Sequence, residues 1–90
     1  MLKIVASNNF KKDLKLAIKR GLDLNILNTV VYALATVQKL EAKYRDHNLT
    51  GKYKDFRGCH IQPYWLLIYR INDSELELFL FRTGTHADLF

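Results

Sequence analysis

The feature that most restricts the fold is the run Trp65-Leu-Leu-Ile-Tyr-Arg-Ile71, which is apolar on nearly both faces and rich in strand-forming residues. Pro63-Tyr64 before it and Asn72-Asp73-Ser74 after it are turn signals, so the run reads as a strand, with a further strand expected over Glu75 to Arg82. Upstream, Lys52 to Phe56 and Arg57 to Gln62 are short strand candidates, with a break or bulge expected around Arg57-Gly58. The tail TGTHADLF is too short for a full helix.

The N-terminal half has a different period. Leu2 to Ala6 reads as a short strand, after which Ser7, Asn8 or Asn9 offers a side-chain oxygen to cap a helix. Phe10, Leu14, Ala17 and Ile18 then fall at i, i+4, i+7 and i+8, one apolar stripe, with Lys11, Lys15 and Lys19 repeating on another face. Gly21 suits a helix stop, because it enters the left-handed region at little cost. Asp23 caps a second helix whose apolar set is Leu27, Val30, Val31 and Leu34, and the short link between the two predicts an antiparallel helical hairpin. Gln38 to Thr50 is a charged connection without periodicity. The order is strand, helix, helix, then three or four antiparallel strands. That is an α+β arrangement in which a helical hairpin covers one face of a mostly antiparallel sheet and leaves the other partly open.

At 90 residues, 49% of them apolar, the chain supports one domain, residues 1–90, and one core. Fourteen Lys plus Arg against nine Asp plus Glu give a formal charge of +5, which favours a polyanionic partner, either nucleic acid or an acidic protein segment. The single cysteine, Cys59, leaves no internal disulfide. With neither a signal-peptide pattern nor about 20 continuous apolar residues, the expected location is the cytoplasm.

The three histidines carry the functional reading. His47 lies in the charged connection, His60 on a strand and His86 in the tail. Strand parity puts Arg57, Cys59 and Ile61 on one face and Gly58, His60 and Gln62 on the other. Since Cys59 and Ile61 are the natural core pair, His60 is expected on the more solvated face. No CxxC, HxxxH or HExxH spacing is present, so acid–base use ranks above a metal site. RNA carries its own nucleophile in the 2′-hydroxyl. Its cleavage needs a base, an acid and positive charge on the phosphorane, and histidine serves either proton-transfer role near neutrality. Arg57, Arg82 or nearby lysines are the candidate cations. Tyr64, Trp65 and Phe90 are candidates to stack on an unpaired base, with core packing the equal alternative for Trp65.

Three segments taken together, YRDHNLTG (Tyr44–Gly51), FRGCHIQPYWLLIY (Phe56–Tyr69) and RTGTHADLF (Arg82–Phe90), resemble the YafQ branch of the RelE/ParE toxin superfamily. Its pattern runs DH-x-L-x-G, then R-x-x-H-x-x-P-D-W-x-L-I-Y, then R-x-G-T/S-H-x-x-L-F. The resemblance implies a RelE-like fold and an endoribonuclease that enters the ribosomal A site and cuts the translated message without a metal or other cofactor. It places His47, His60, His86, Trp65 and Phe90 on active-site positions. His86 is then the principal acid–base group, with His47 and His60 serving proton transfer or phosphate binding and Phe90 orienting the substrate. Lys11, Lys15 and Lys19 would face ribosomal RNA. The implied partner is a DinJ/RelB-like antitoxin whose acidic or amphipathic C-terminal segment wraps the toxin, and operator DNA is reached only through that complex.

One position departs from the pattern: Tyr64 stands where the family motif has Asp. A carboxylate there would orient a histidine or raise its pKa, which a neutral phenol does not do, so attenuated cleavage is one expectation. Two other readings stay open on residues alone: a ParE-like protein that poisons gyrase, and a RelE-fold RNA- or protein-binding module without catalysis.

Overall fold

The strand built on the doubly apolar run is the middle member of a five-stranded sheet. The computed structural model describes residues 1–90. In chain order the elements are β1 (Lys3–Ala6), α1 (Asn8–Lys19), α2 (Leu24–Ala35), β2 (His47–Asn48), β3 (Arg57–Gln62), β4 (Trp65–Asn72), β5 (Glu77–Gly84) and α3 (His86–Leu89). The sheet order is β1-β5-β4-β3-β2. Only β1 runs parallel to its neighbour, β5, and the other pairings are antiparallel. The expected α+β class holds. No helix is long and apolar enough to cross a membrane.

Because successive side chains of a strand point to opposite faces, β4 feeds two cores. Trp65, Leu67 and Tyr69 join the larger one, with Phe10 and Ala17 of α1, Leu27, Val30 and Leu34 of α2, and Cys59 and Ile61 of β3. Leu66 and Ile68 join a smaller one with Tyr53 and Leu89, flanked by Leu49, Phe56 and Phe81. The second face is therefore covered by the segment before β3 and by the C-terminal tail, and it is open only in part.

Local chemistry fixes the helix ends as the residues suggest. Ser7 caps α1: its hydroxyl accepts from the Phe10 amide at 2.9 Å and donates to the Phe81 carbonyl at 2.6 Å, tying the cap to β5. Gly21, at φ +75°, ends that helix turn, and Asp23 caps α2 through the Asn25 amide at 2.9 Å.

Several expectations need correction. Ile18 is 58% exposed and leaves the apolar stripe of α1, which is formed by Phe10, Leu14 and Ala17. Asp13 turns inward instead. The pairing of β1 ends at Ala6 opposite Leu80, so the edge of β5 beyond it has no strand beside it. Asp13 supplies the missing acceptor, taking the Thr83 amide at 3.1 Å and the Arg82 guanidinium at 2.7 and 3.1 Å. Lys52 to Phe56 is not a strand. Gly51–Tyr53 is a 3₁₀ turn and Asp55 has φ +76°, which breaks extended backbone and lets Tyr53 enter the second core. The irregularities of the sheet lie between His60 and Gln62 and between Ile68 and Tyr69, rather than at Arg57-Gly58. The last strand starts at Glu77, after a 3₁₀ turn over Asp73–Glu75, and the tail forms the four-residue α3.

Trp65 takes the core alternative. It is 2% exposed, and its indole N–H donates to the Thr83 hydroxyl at 2.8 Å, which donates in turn to the Leu66 carbonyl at 2.6 Å. Trp65→Phe removes that donor and some packing volume, so it should cost about 1–3 kcal/mol. At about 4–8 °C per kcal/mol for a domain of this size, the loss is read directly from a thermal unfolding curve.

Candidate active site

Strand register builds one wall of a cleft. On the face of the smaller core, one row across the sheet runs His47, Gly58, Ile68, Arg82, and the next runs His60, Leu66, Gly84. His86 follows Gly84 by two residues, at the head of α3. The three histidines, remote in sequence, thus line a single cavity of about 340 Å³ together with Leu66, Ile68 and Phe90. The ionisable side chains that face it are those of His47, His60 and His86, while Cys59 points into the larger core on the opposite face of β3.

Each imidazole is held differently. His47 stands on the two-residue β2 rather than in an open loop, and its Nδ1 lies 2.6 Å from the Arg45 carbonyl. A carbonyl only accepts, so Nδ1 carries the proton and the Nε2 lone pair is left free in the neutral ring. His60 has the same arrangement at greater length, Nδ1 to the Pro63 carbonyl at 3.3 Å. His86 makes no hydrogen bond through its ring. It stacks on Phe90, with centroids 4.7 Å apart and planes 23° from parallel.

The tail that carries His86 is fastened at three points. Thr85 and Asp88 form a capping box, with the Thr85 amide donating to Asp88 at 2.8 Å and the Asp88 amide to the Thr85 hydroxyl at 3.1 Å. Asp88 also accepts two bonds from Arg20, at 2.6 and 3.2 Å, which pins α3 to the end of α1. Tyr53 donates to the Leu89 carbonyl at 2.6 Å and meets the Phe90 ring edge-on at 5.1 Å. Gly84 makes this return possible, because a Cβ there would stand 3.0 Å from the Asp88 carboxylate. The Arg20 guanidinium, with the Thr85 amide second, holds the Asp88 carboxyl well below the ordinary carboxylate range.

Of the residues expected at a site, the structure gathers His47, His60, His86 and Phe90. Tyr64 is 85% exposed and flanks the cleft beside His60, Thr85 and His86. Trp65 lies on the other face of β4 and does not reach the cavity. Arg57 and Arg82 are not free cations either. Arg57 is held by Asp46 at 3.1 and 3.3 Å and by Asn48 at 2.7 Å, while Arg82 is clamped by Asp13, and neither lines the cleft. Both are candidate cations for the phosphorane by residue type, but folding brings each a carboxylate from another segment. Lys11, Lys15 and Lys19 stay exposed on α1, away from the cavity walls.

Residue patterns did not reveal the supporting group. Asp46 accepts from Arg57 and from the Tyr69 hydroxyl at 2.5 Å, anchoring the segment that presents His47. Burial, with the Asp46 hydrogen bond second, pushes the Tyr69 phenol up, so it remains a donor. Tyr53 and Asp13 gave no signal beyond a lone aromatic among lysines and a charge on a helix. Burial also pushes the Cys59 thiol up to about 12, so it stays protonated and is not a nucleophile near neutral pH.

The chain matches a family described as bacterial toxin of type II toxin–antitoxin system, YafQ, over residues 2–90. An mRNA interferase toxin YafQ from Escherichia coli K12 is 44% identical over 85 residues, covering 93% of this chain and 90% of that protein. A metal-bound toxin from Helicobacter pylori superposes with a TM-score of 0.94 at 52% identity, over 100% of both chains. A chain of the E. coli DinJ–YafQ complex does so with 0.89 at 42% identity, over 100% of this chain and 99% of that one. In the present chain no three His, Cys, Asp or Glu side chains are gathered closely enough to hold a metal ion.

The fastening of α3 has a pH signature. A carboxyl with a depressed folded-state pKa contributes fully above its unfolded value, about 4, and loses that contribution as pH falls through the folded value. The amides of Leu89 and Phe90, bonded to Thr85 and His86 carbonyls at 3.2 and 2.9 Å, should therefore stay protected from hydrogen exchange at about pH 4. Asp88→Asn should lose that protection even at neutral pH, with little change in global stability because the ion pair is largely exposed.

Proposed function

The chain belongs to the YafQ family of type II toxin–antitoxin toxins, and from that premise we propose that it is an endoribonuclease that cuts messenger RNA on the ribosome by proton transfer among its histidines. The observation that carries this reading is the meeting of His47, His60, His86 and Phe90 in one cleft.

In the proposed reaction a neutral imidazole takes the proton of the 2′-hydroxyl, and the 2′-oxygen attacks the adjacent phosphorus. The phosphorane then expels the 5′-oxygen, which a second imidazole protonates, leaving a 2′,3′-cyclic phosphate and a free 5′-hydroxyl. His47 suits the base role, because its Nδ1–H is committed to the Arg45 carbonyl and its Nε2 lone pair is free. His86 suits the acid role. Its ring has no acceptor within the chain and is held by stacking alone, so an imidazolium there has protons to give. His60, on the row between them, supports the phosphorane charge when protonated. Phe90 orients the substrate beside His86. The proposed cleavage is metal-independent, since every proton and charge it needs is supplied by imidazole. Trp65 acts only indirectly, by fixing Thr83 and the end of β5 from which the tail departs.

The proposed partner is a DinJ-like antitoxin, as in the E. coli complex, with operator DNA contacted through the antitoxin. A toxin charge of +5 suits an acidic wrapping segment. The lysine row of α1, exposed and away from the cleft, is proposed to face ribosomal RNA, and the site of action is the cytoplasm.

The test is induced expression followed by primer extension on a reporter message. The unmodified chain should give translation-dependent 5′ ends, and His86→Ala should reduce them by about 10²-fold or more. Tyr64→Asp should cut more strongly, because a carboxylate beside His60 and His86 favours the charged imidazole. Identical uncut messages from all three would replace the nuclease with a non-catalytic binding module.

A further inference from the structure

A second, larger groove opens on the other side of His60. Its volume is about 760 Å³, and besides His60 its walls include Thr29 of α2, Gln62 of β3, and Lys43, Tyr44 and Arg45 from the 3₁₀ turn that precedes β2. No carboxylate lines it. The Arg45 side chain makes no hydrogen bond or ion pair within the chain, in contrast to the clamped Arg20, Arg57 and Arg82. Lys43 has only Glu41, 3.9 Å away on the open surface, and its ammonium lies 5.1 Å from the centroid of the Tyr44 ring.

Two backbone features shape this groove. Arg45 has φ +49°, a left-handed conformation that is costly for a residue with a Cβ. That conformation places the Arg45 carbonyl on His47 Nδ1 while its side chain lines the groove. The register shift between His60 and Gln62 re-aims the end of β3, so that His60, Ile61 and Gln62 all reach the groove wall. His60 thus stands between the two cavities, lining both.

We propose that this groove is a second RNA subsite, seating a nucleotide next to the scissile one, with Lys43 and Arg45 on its phosphates and Tyr44 and Gln62 against its base. The inference rests on the ribonuclease reading for the identity of the strand. Its own support is the joining of the two cavities at His60 and the presence of two cations, Arg45 unpaired and Lys43 with only a surface contact to Glu41, on a groove that no carboxylate lines. Single-stranded RNA is held by cations along the backbone and by aromatic and amide contacts to unpaired bases, which is the combination present here.

The test is fluorescence anisotropy with a labelled 2′-O-methyl hexaribonucleotide, which cannot be cut. Binding is measured to the full chain, to His86→Ala, to the double variant Lys43→Gln/Arg45→Gln, and to Thr29→Glu, with folding checked by circular dichroism. The double variant should bind roughly tenfold more weakly, and the slope of log K against log salt should fall by about 1 for each cation removed. Thr29→Glu, on a different element, should weaken binding in the same direction, while His86→Ala should retain most of it. Unchanged affinity in the folded double variant, or no binding by the unmodified chain, overturns the subsite. Loss of affinity for the purified antitoxin alone makes the groove a protein-docking surface instead. Message cleavage measured in parallel separates the two proposals: cutting without groove-dependent binding removes the subsite and leaves the nuclease, and groove-dependent binding without cutting does the reverse.

Discussion

Burial of β4 on both faces is the constraint on which the rest depends. A strand that carries Trp65, Leu67 and Tyr69 on one side and Leu66 and Ile68 on the other cannot leave either face to water without exposing several large apolar side chains. The helices cover the first face. The second has no helix of comparable length, so it is closed by what the chain has left: the turn bearing Tyr53, the side chains of Leu49, Phe56 and Phe81, and the C-terminal Leu89. Closing that face with the tail is what carries His86 back to His47 and His60. In this fold the packing requirement and the assembly of the cleft are the same event.

The charge distribution is set by carboxylates that meet arginines across long stretches of sequence. Asp13 holds Arg82, Asp46 holds Arg57 and Asp88 holds Arg20. Each pair does local structural work: the first completes the uncovered edge of β5, the second ties β2 to β3, and the third docks α3. Such pairs add little stability where they are exposed, and their value here is geometric. The cations left without a carboxylate partner include the lysine row of α1 and Arg45, with Lys3, Lys12, Lys39, Lys52 and Lys54 also exposed.

Tyr64 gives the cleft its individual character. The phenol is exposed at the rim beside His60 and His86, in the place where the family pattern has a carboxylate. Without that carboxylate the histidines are oriented by backbone carbonyls and by stacking: His47 by Arg45, His60 by Pro63 and His86 by Phe90. The two carbonyls fix the ring position and tautomer of His47 and His60, and the stack on Phe90 fixes the plane of the His86 ring.

Much of this was legible in the residues, for local reasons. The continuous apolar run of β4, the caps at Ser7 and Asp23, the stop at Gly21 and the outward parity of His60 follow from backbone sterics and side-chain alternation within a few residues. The motifs around His47, His60 and His86 likewise pointed to a common cleft, and folding does place those rings in one cavity with Phe90. The remainder depended on partners far away in the chain. Whether Trp65 faces core or cleft was settled by Thr83. Whether Arg57 and Arg82 are free was settled by Asp46 and Asp13, and whether the tail is ordered was settled by Tyr53 and Arg20. Sequence by itself determined the elements and the chemistry of the candidate residues, because both are properties of short segments. Tertiary structure alone decided which of those residues share a space, because a distance between remote segments is set only when their apolar surfaces must be buried together.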